Sequence, residues 1–381
     1  MNDLNTSNQT MTMFKIPNNL EVEMMMLSFI YQGNFKEMIE REKRYSNGKF
    51  RVLDVTFEKL ATDAQSEGYD PDKVKVVKIL AHSNAKMNLV FLEPESLKKC
   101  SPAILKIIVF LCTNIFAHLS CSRKNPLNNP LMQFASQDLV DLGVYKNLDA
   151  ATTEVKIALK ILGSIRFVKP VHEGQAVTLG ELEQAPALFS KVKVKRKFFD
   201  IDLNPAFDWK MFQKPFTWVP AAIFTLSKYA SRMMWYICFL ARQNEDKILE
   251  NGEFSIGLNT VALRLGIRYP HQTHSPKRDI WDIIQRMTQE INESVECLGI
   301  HLRLEAILNC AMGETLKSGK IVVEIMDPYI ENIAKLHSTK QQKQKLVEAR
   351  KTANMNRKNE SKTKASVSGV SEEKQSLKKD A

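Results

Sequence analysis

Residues 139–144 read Leu-Val-Asp-Leu-Gly-Val, and residues 262–267 read Ala-Leu-Arg-Leu-Gly-Ile. The two hexapeptides keep the same apolar register at an offset of 123 residues. Each hexapeptide lies at the C-terminal end of a short segment with an amphipathic helical pattern. The glycine at the fifth position predicts a helix end, because glycine adopts the left-handed backbone conformation at little cost. A single match of this kind has little weight, so the flanking segments determine whether the chain is duplicated.

The segments that flank the two hexapeptides repeat as well. Apolar residues at helical spacing precede and follow each hexapeptide, the second helical stripe ends at a glycine, and strand patterns come next. In the first copy these segments are 104–118, 148–162 with Gly163, 165–169 and 191–203. In the second copy they are 219–240, 277–298 with Gly299, 300–308 and 320–326. Two copies of one element order favour an internal duplication over an unrelated helical bundle.

The predicted order of elements is a long helix, a short helix, a tight turn, a second helix and a two-stranded ribbon. This is the helix-turn-helix order with a wing. We therefore predict a helix-rich α+β chain with two tandem winged-helix domains, at residues 99–205 and 206–338. Residues 1–45 are predicted to be a flexible N-terminal segment, and residues 46–98 a small mixed α/β unit of unknown role. Residues 339–381 are predicted to be a disordered basic tail.

The charge is concentrated at the C-terminus. The 381 residues carry 54 Lys and Arg against 43 Asp and Glu, a net charge of +11. Residues 340–381 hold twelve of these cations and five of the carboxylates, a net charge of +7, and no aromatic residue. A segment of this composition cannot bury enough apolar surface to fold alone. It is either an arm for a polyanion or a solubilising tail, and the first 339 residues keep a net charge of only +4.

The first domain offers two sets of candidate DNA-binding residues. A reading helix in the major groove needs donors and short polar groups on its exposed face, where threonine and lysine can reach base edges and phosphates. We predict that face to consist of Thr152, Thr153, Lys156 and Lys160. Residues 191–197 read Lys-Val-Lys-Val-Lys-Arg-Lys, and the alternation of lysine with valine over 191–195 predicts a ribbon with one basic face. Its phosphate contacts are predicted to be Lys191, Lys193, Lys195, Arg196 and Lys197; the competing interpretation is a lysine-rich edge that blocks strand pairing.

The second domain has a long, basic, donor-rich loop at residues 268–278, just before its second helix. The N-terminal end of a reading helix meets the bases, so this loop is predicted to contact DNA. The candidates are Arg268, His271, Lys277, Arg278 and Arg286. Arg286 fits a solvated helix face equally well. His271 and His274 lack a nearby cysteine or carboxylate, so no metal site is predicted.

Several protein classes are excluded by missing patterns. The chain has no P-loop, GxGxxG, HExxH or GxSxG motif, so we expect neither an enzyme nor a cofactor. Its six cysteines form no CxxC pair, which indicates reduced thiols in a cytoplasmic protein. The longest apolar run, residues 107–117, is far shorter than the roughly 20 residues that span a membrane. The N-terminal decapeptide is polar and is not expected to be a signal peptide.

Residues 227–232, Ser-Lys-Tyr-Ala-Ser-Arg, lie in the long helix of the second domain and follow Phe216-Thr217-Trp218 and Phe224-Thr225-Leu226. With the tandem layout and the basic tail, these motifs resemble plasmid replication initiators that bind iterons. The resemblance covers about residues 100–330 and rests on short motifs. The long loop at 171–189 departs from the family pattern, and the first 95 residues have no counterpart in it.

The resemblance implies sequence-specific binding to double-stranded DNA at the direct repeats of a plasmid or mobile-element origin. It also implies local duplex opening, recruitment of host replication proteins such as a helicase or initiator, and a switch to a homodimer. Three other functions stay open at this point. They are a winged-helix transcriptional or partition regulator, a DNA nickase or relaxase with an unrecognised site, and a structural or RNA-binding protein.

Overall fold

The computed structural model describes residues 13–45, 49–58, 74–121, 131–170, 178–209, 216–244, 247–248, 251–267, 276–306 and 312–326. Helices and antiparallel sheets alternate along these residues, which confirms the predicted α+β class. The predicted tail at 339–381 lies outside the described residues. One large apolar core runs through both repeats and the N-terminal part.

The N-terminal part is built into this core. It consists of β1 (Met13–Pro17), α1 (Leu20–Ile30) and α2 (Phe35–Tyr45). The prediction of a flexible segment is therefore wrong for residues 13–45. The apolar run from Met24 to Tyr31 is fully buried, and each large apolar side chain removed from water contributes about 1.5–3 kcal/mol. β1 pairs antiparallel with β9 (Phe216–Pro220), which ties the start of the chain to the second repeat.

The predicted mixed unit at 46–98 is a sheet that the first repeat completes. Its strands are β2 (Phe50–Glu58), β3 (Val74–His82) and β4 (Asn88–Phe91), followed by a short 3₁₀ helix (Pro94–Lys99). The fourth strand is β6 (Ile165–Val168), which pairs antiparallel with β4. We expected residues 165–169 to be a wing strand, and this was wrong. Leu89, Val90 and Phe91 are buried and take β6 as their neighbour.

The first repeat has the predicted order of helices and an additional strand. Its elements are α3 (Ile104–Cys121), β5 (Leu131–Ala135), α4 (Ser136–Asp141), α5 (Leu148–Ser164), a short α6 (Leu179–Gln184), β7 (Phe189–Lys195) and β8 (Phe198–Leu203). The predicted continuous strand at 191–203 is a hairpin, because the chain turns at Arg196 with a φ of 57°. The strand order is β5-β8-β7, so the basic strand β7 is an edge.

The second repeat has the same order. Its elements are α7 (Lys228–Gln243), β10 (Glu253–Gly257), α8 (Leu258–Arg264), α9 (Pro276–Glu293), α10 (Val295–Leu298), β11 (Ile300–Glu305), α11 (Met312–Ser318) and β12 (Lys320–Ile325). Its sheet has the order β10-β12-β11, which parallels β5-β8-β7 with a helix inserted in the hairpin. Gly143 and Gly266, the glycines of the two hexapeptides, have φ values of 73° and 61°.

Candidate nucleic-acid interface

Helix α5 carries an exposed polar stripe opposite a buried apolar one. Asn147 caps its N-terminus by accepting hydrogen bonds from the amides of Asp149 and Ala150. The apolar stripe packs into the core with Ala151, Val155, Ala158, Leu159 and Leu162, each 2% exposed or less. Thr153, Lys156 and Lys160 are exposed on the other side. Three of the four predicted reading residues therefore face solvent.

Thr152 is the exception and corrects the prediction. Its side chain is 7% exposed, and its hydroxyl lies 2.8 Å from both Ser136 Oγ and the Leu148 carbonyl oxygen. Ser136 starts α4, so this contact joins α4 to α5. Thr152 fixes the packing of the two helices and cannot contact DNA in this arrangement. It lies at the border of the helical stripe, where periodicity alone does not separate buried from exposed positions.

An open groove runs between α5 and the edge strand β7. It has a volume of about 320 Å³. Lys156 and Lys160 line it from the helix, and Lys191 lines it from the strand, with Leu159 and Val192 at its floor. Lys160 Nζ lies 3.9 Å from Glu93 Oε2, a surface pair that contributes little. The structure thus brings predicted helix and ribbon residues, separated by 31 positions or more, to one surface.

The ribbon carries carboxylates among its lysines. Across the β7–β8 hairpin, Lys193 is opposite Asp200 and Lys191 is opposite Asp202. Lys195 Nζ lies 2.8 Å from Asp200 Oδ2, while Gln133 donates to the other oxygen of Asp200 at 2.8 Å. The hydrogen bonds from Lys195 and Gln133 hold the pKa of Asp200 below its usual range, and Asp200 raises the pKa of Lys195. Asp200 therefore stays ionised at neutral pH and holds Lys195.

The remaining ribbon cations differ in their partners. Lys197 Nζ lies 3.7 Å from Asp149 Oδ1, at the start of α5. Lys191, Lys193 and Arg196 are exposed, and no carboxylate of the described residues lies within ion-pair distance of them. All five cations were predicted to be equivalent phosphate contacts, and the Asp-x-Asp pattern at 200–202 had no part in that prediction. Once the hairpin register is known, that pattern places both carboxylates on the lysine face.

Four of the five candidate DNA-binding residues of the second repeat have side chains outside the described residues. Arg268 and His271 lie outside the described residues, and Lys277 and Arg278 belong to the first turn of α9 with side chains outside them. Arg286 is exposed on α9, where its Nε donates to the Asp282 carbonyl at 3.2 Å. This local contact leaves the rest of its guanidinium on the helix surface.

The hairpin of the second repeat differs from the first in charge. Arg303 contacts Glu324 at 3.2 Å, Glu253 at 3.4 Å and Glu305, and Lys320 pairs with Glu305 at 2.9 Å. His301 Nδ1 also lies 2.9 Å from Glu324 Oε2. Three carboxylates thus face Arg303, Lys320 and His301, so this sheet face is slightly acidic and internally paired. The two hairpins are therefore unequal: of the described residues, exposed cations without a carboxylate in ion-pair distance line the hairpin of the first repeat.

The motif at residues 227–232, on which the family resemblance rests, contributes two residues to the packing of α7. Ser227 precedes α7, and both its amide and its hydroxyl contact the Glu290 carboxylate of α9 at 2.5 Å. Arg232 is buried and donates to the Leu265 carbonyl at 2.7 Å. These residues fix α7 against α9 and against the turn at 265–267.

Comparisons with known proteins give distant structural likenesses only. A crystal structure of domains 2 and 3 of RctB matches with a TM-score of 0.39 and 11% identity, over 73% of this chain and 91% of that chain. A second structure of RctB domains 2–3 matches with a TM-score of 0.38 and 11% identity, over 75% of this chain and 94% of that chain. No protein-family model and no curated protein matches. Likenesses at this level establish neither a shared function nor a shared mechanism.

The described residues lack two further features. No helix among them is long and apolar enough to cross a membrane. They also contain no group of three or more His, Cys, Asp and Glu side chains arranged to hold a metal ion.

Proposed function

We propose that this protein binds double-stranded DNA through its first repeat, a winged-helix unit in which α5 enters the major groove. The observation that carries the proposal is the groove lined by Lys156 and Lys160 of α5 and Lys191 of β7. Two helix cations and one cation of the edge strand meet at this open surface. Lysines at such a surface neutralise phosphates, and Thr153 beside them offers a hydroxyl for a base edge.

The second repeat is proposed to bind DNA through its helix rather than its ribbon. Its sheet face is acidic, so phosphate would be repelled there. Arg286 on α9, with Lys277 and Arg278 in the first turn, supplies the cations. Two reading helices in one chain suit two neighbouring major-groove segments about one helical turn apart.

At a finer level, we infer that the DNA is an origin of replication with direct repeats on a plasmid or mobile element. Support comes from the duplicated element order and from the sequence resemblance to iteron-binding initiators. The same inference includes DNA opening, recruitment of host replication proteins, a homodimeric state and a cytoplasmic location. It assigns the chain no catalytic activity and no cofactor, in keeping with the missing nucleotide-binding and hydrolase motifs.

Selection of bound duplexes from a random pool tests the proposal. We expect enrichment of one consensus sequence by the full chain, and loss of base preference at some positions in Thr153→Ala. A pool without enrichment would contradict sequence-specific binding. A regulator would enrich a consensus too, so the consensus is then placed on a plasmid that lacks its own origin. Replication that depends on this protein supports the initiator function, and repression of a reporter alone supports the regulator.

Asp200→Asn should tighten binding to duplex DNA. The substitution removes the carboxylate that holds Lys195 and frees one cation for a phosphate. The slope of log affinity against log salt should steepen by about 0.9, the value for one added phosphate contact. Asp202→Asn is the matched control, since it changes the charge equally without breaking that 2.8 Å pair. Equal slopes in the two variants would contradict the role of the Lys195–Asp200 pair.

A further inference from the structure

The tip of the β7–β8 hairpin presents an uncovered aromatic ring. Phe198 is 62% exposed, the largest exposure among the large apolar side chains of the described residues. Its neighbour across β5 is Ala135, whose methyl group is too small to cover a ring. Its neighbour across β7 is Lys195, whose ammonium is held by Asp200. No other aromatic ring of the described residues stacks on Phe198.

The surroundings of Phe198 are cationic and anchored. Arg196 and Lys197 form the turn directly before it, and Lys193 and Lys195 share its face of the sheet. The backbone of the tip is fixed, because the Ser136 amide donates to the Lys197 carbonyl at 3.0 Å. The Lys197–Asp149 contact places the tip beside the first turn of α5, the end of a reading helix that lies nearest the bases.

We propose that Phe198 is a wedge that inserts at a base step of duplex DNA and unstacks it. This rests on the proposed function, because the reading helix and the ribbon cations bring the tip to the DNA. A ring on a rigid tip, with Lys193 and Lys195 on the adjacent strand and Arg196 and Lys197 in the turn, combines the two parts of such a contact. The cations hold phosphates on either side of a step, and the ring replaces the lost stacking between the bases. A scattered surface phenylalanine would have no such ring of cations.

Permanganate reactivity of thymines tests the wedge, because permanganate attacks unstacked thymines. The probe is a mixed-sequence duplex with several TA and CA steps, which unstack most easily. The full chain should create a hyper-reactive thymine that Phe198→Ala abolishes and Phe198→Trp restores. Phe198→Ala should also weaken duplex binding by a factor of about 5 to about 150, the range for losing one aromatic stack. Val76→Ala, at another exposed apolar position, should change neither measurement.

The outcomes separate the wedge from the proposed function. If the full chain does not bind the duplex, the proposed function fails. If it binds the duplex without a hyper-reactive thymine and Phe198→Ala binds equally, only the wedge is overturned. The wedge is also overturned if Phe198→Ala weakens binding to a single-stranded oligonucleotide alone. A dimer in sedimentation that Phe198→Ala converts to a monomer, with unchanged permanganate reactivity, would assign the ring to a second copy of the chain.

Discussion

Gly266→Ala should destabilise the protein far more than Gly143→Ala, although the two glycines occupy equivalent positions in the repeat. Both have a left-handed backbone, with φ values of 61° and 73°, which costs an L-residue roughly 1–2 kcal/mol. At Gly266 an added Cβ would also lie 2.6 Å from Ile30 Cγ2. Overpacking of this kind costs about 1–3 kcal/mol more. We therefore expect a loss of about 2–5 kcal/mol for Gly266→Ala.

Gly143→Ala is the matched control, because its Cβ would meet only Thr225 Cγ2 at an ordinary 3.6 Å. Chemical denaturation of the two variants, with equal m-values, gives the comparison. Equal destabilisation would contradict the packing of α1 against the second repeat. Side-chain hydrogen bonds hold the turn around Gly266 in place. Tyr31 donates to the Leu263 carbonyl, Arg41 to the Ile267 carbonyl and Arg232 to the Leu265 carbonyl. Burial raises the pKa of Tyr31 to about 12, so its hydroxyl stays a donor at neutral pH.

Replacing Lys191, Lys193 and Arg196 together by alanine should nearly abolish duplex binding at physiological salt. No carboxylate of the described residues lies within ion-pair distance of these three ribbon cations, so all three can contact phosphate. Each phosphate contact contributes about 0.9 to the salt slope, so the slope should flatten by about 2.7. Fluorescence anisotropy of a labelled duplex over a range of salt concentrations measures it.

The control for the triple variant is Lys36→Ala, Lys43→Ala and Lys49→Ala in one chain. These lysines are exposed on α2 and directly before β2, outside α5 and β7. The control loses the same charge, so it reports the effect of net charge alone. An equal flattening in both variants would show that binding follows the overall charge rather than the ribbon.

The repeat could be predicted from sequence because it depends on local patterns. Glycines 143 and 266 and the buried stripe of α5 follow from helical periodicity and from the conformational freedom of glycine. The strands β5 and β10 were missed, because five residues with a weak alternation do not stand out against a loop. The hairpin at Arg196 was missed too, since a non-glycine residue with positive φ is uncommon.

The features that required the structure all depend on pairing between distant segments. Residues 165–168 join β4 rather than the ribbon, and only the register shows this. The N-terminal helices were predicted to be flexible because their apolar patch has no visible partner in the sequence. Its partners are distant in sequence: α3, β3, β4 and the turn at 263–267. The acidic face of the second hairpin also follows from cross-strand pairing, which places Glu253, Glu305 and Glu324 around Arg303.

Duplex DNA should lie on the exposed face of α5, and photo-crosslinking shows directly whether it does. Benzoylphenylalanine is placed at Thr153 on α5 or, as a control, at Ser255 on the acidic sheet of the second repeat; both positions are exposed. Irradiation with a labelled mixed-sequence duplex should produce a covalent protein–DNA adduct from position 153 and none from position 255. An adduct from position 255 with none from position 153 would show that duplex DNA does not lie on α5.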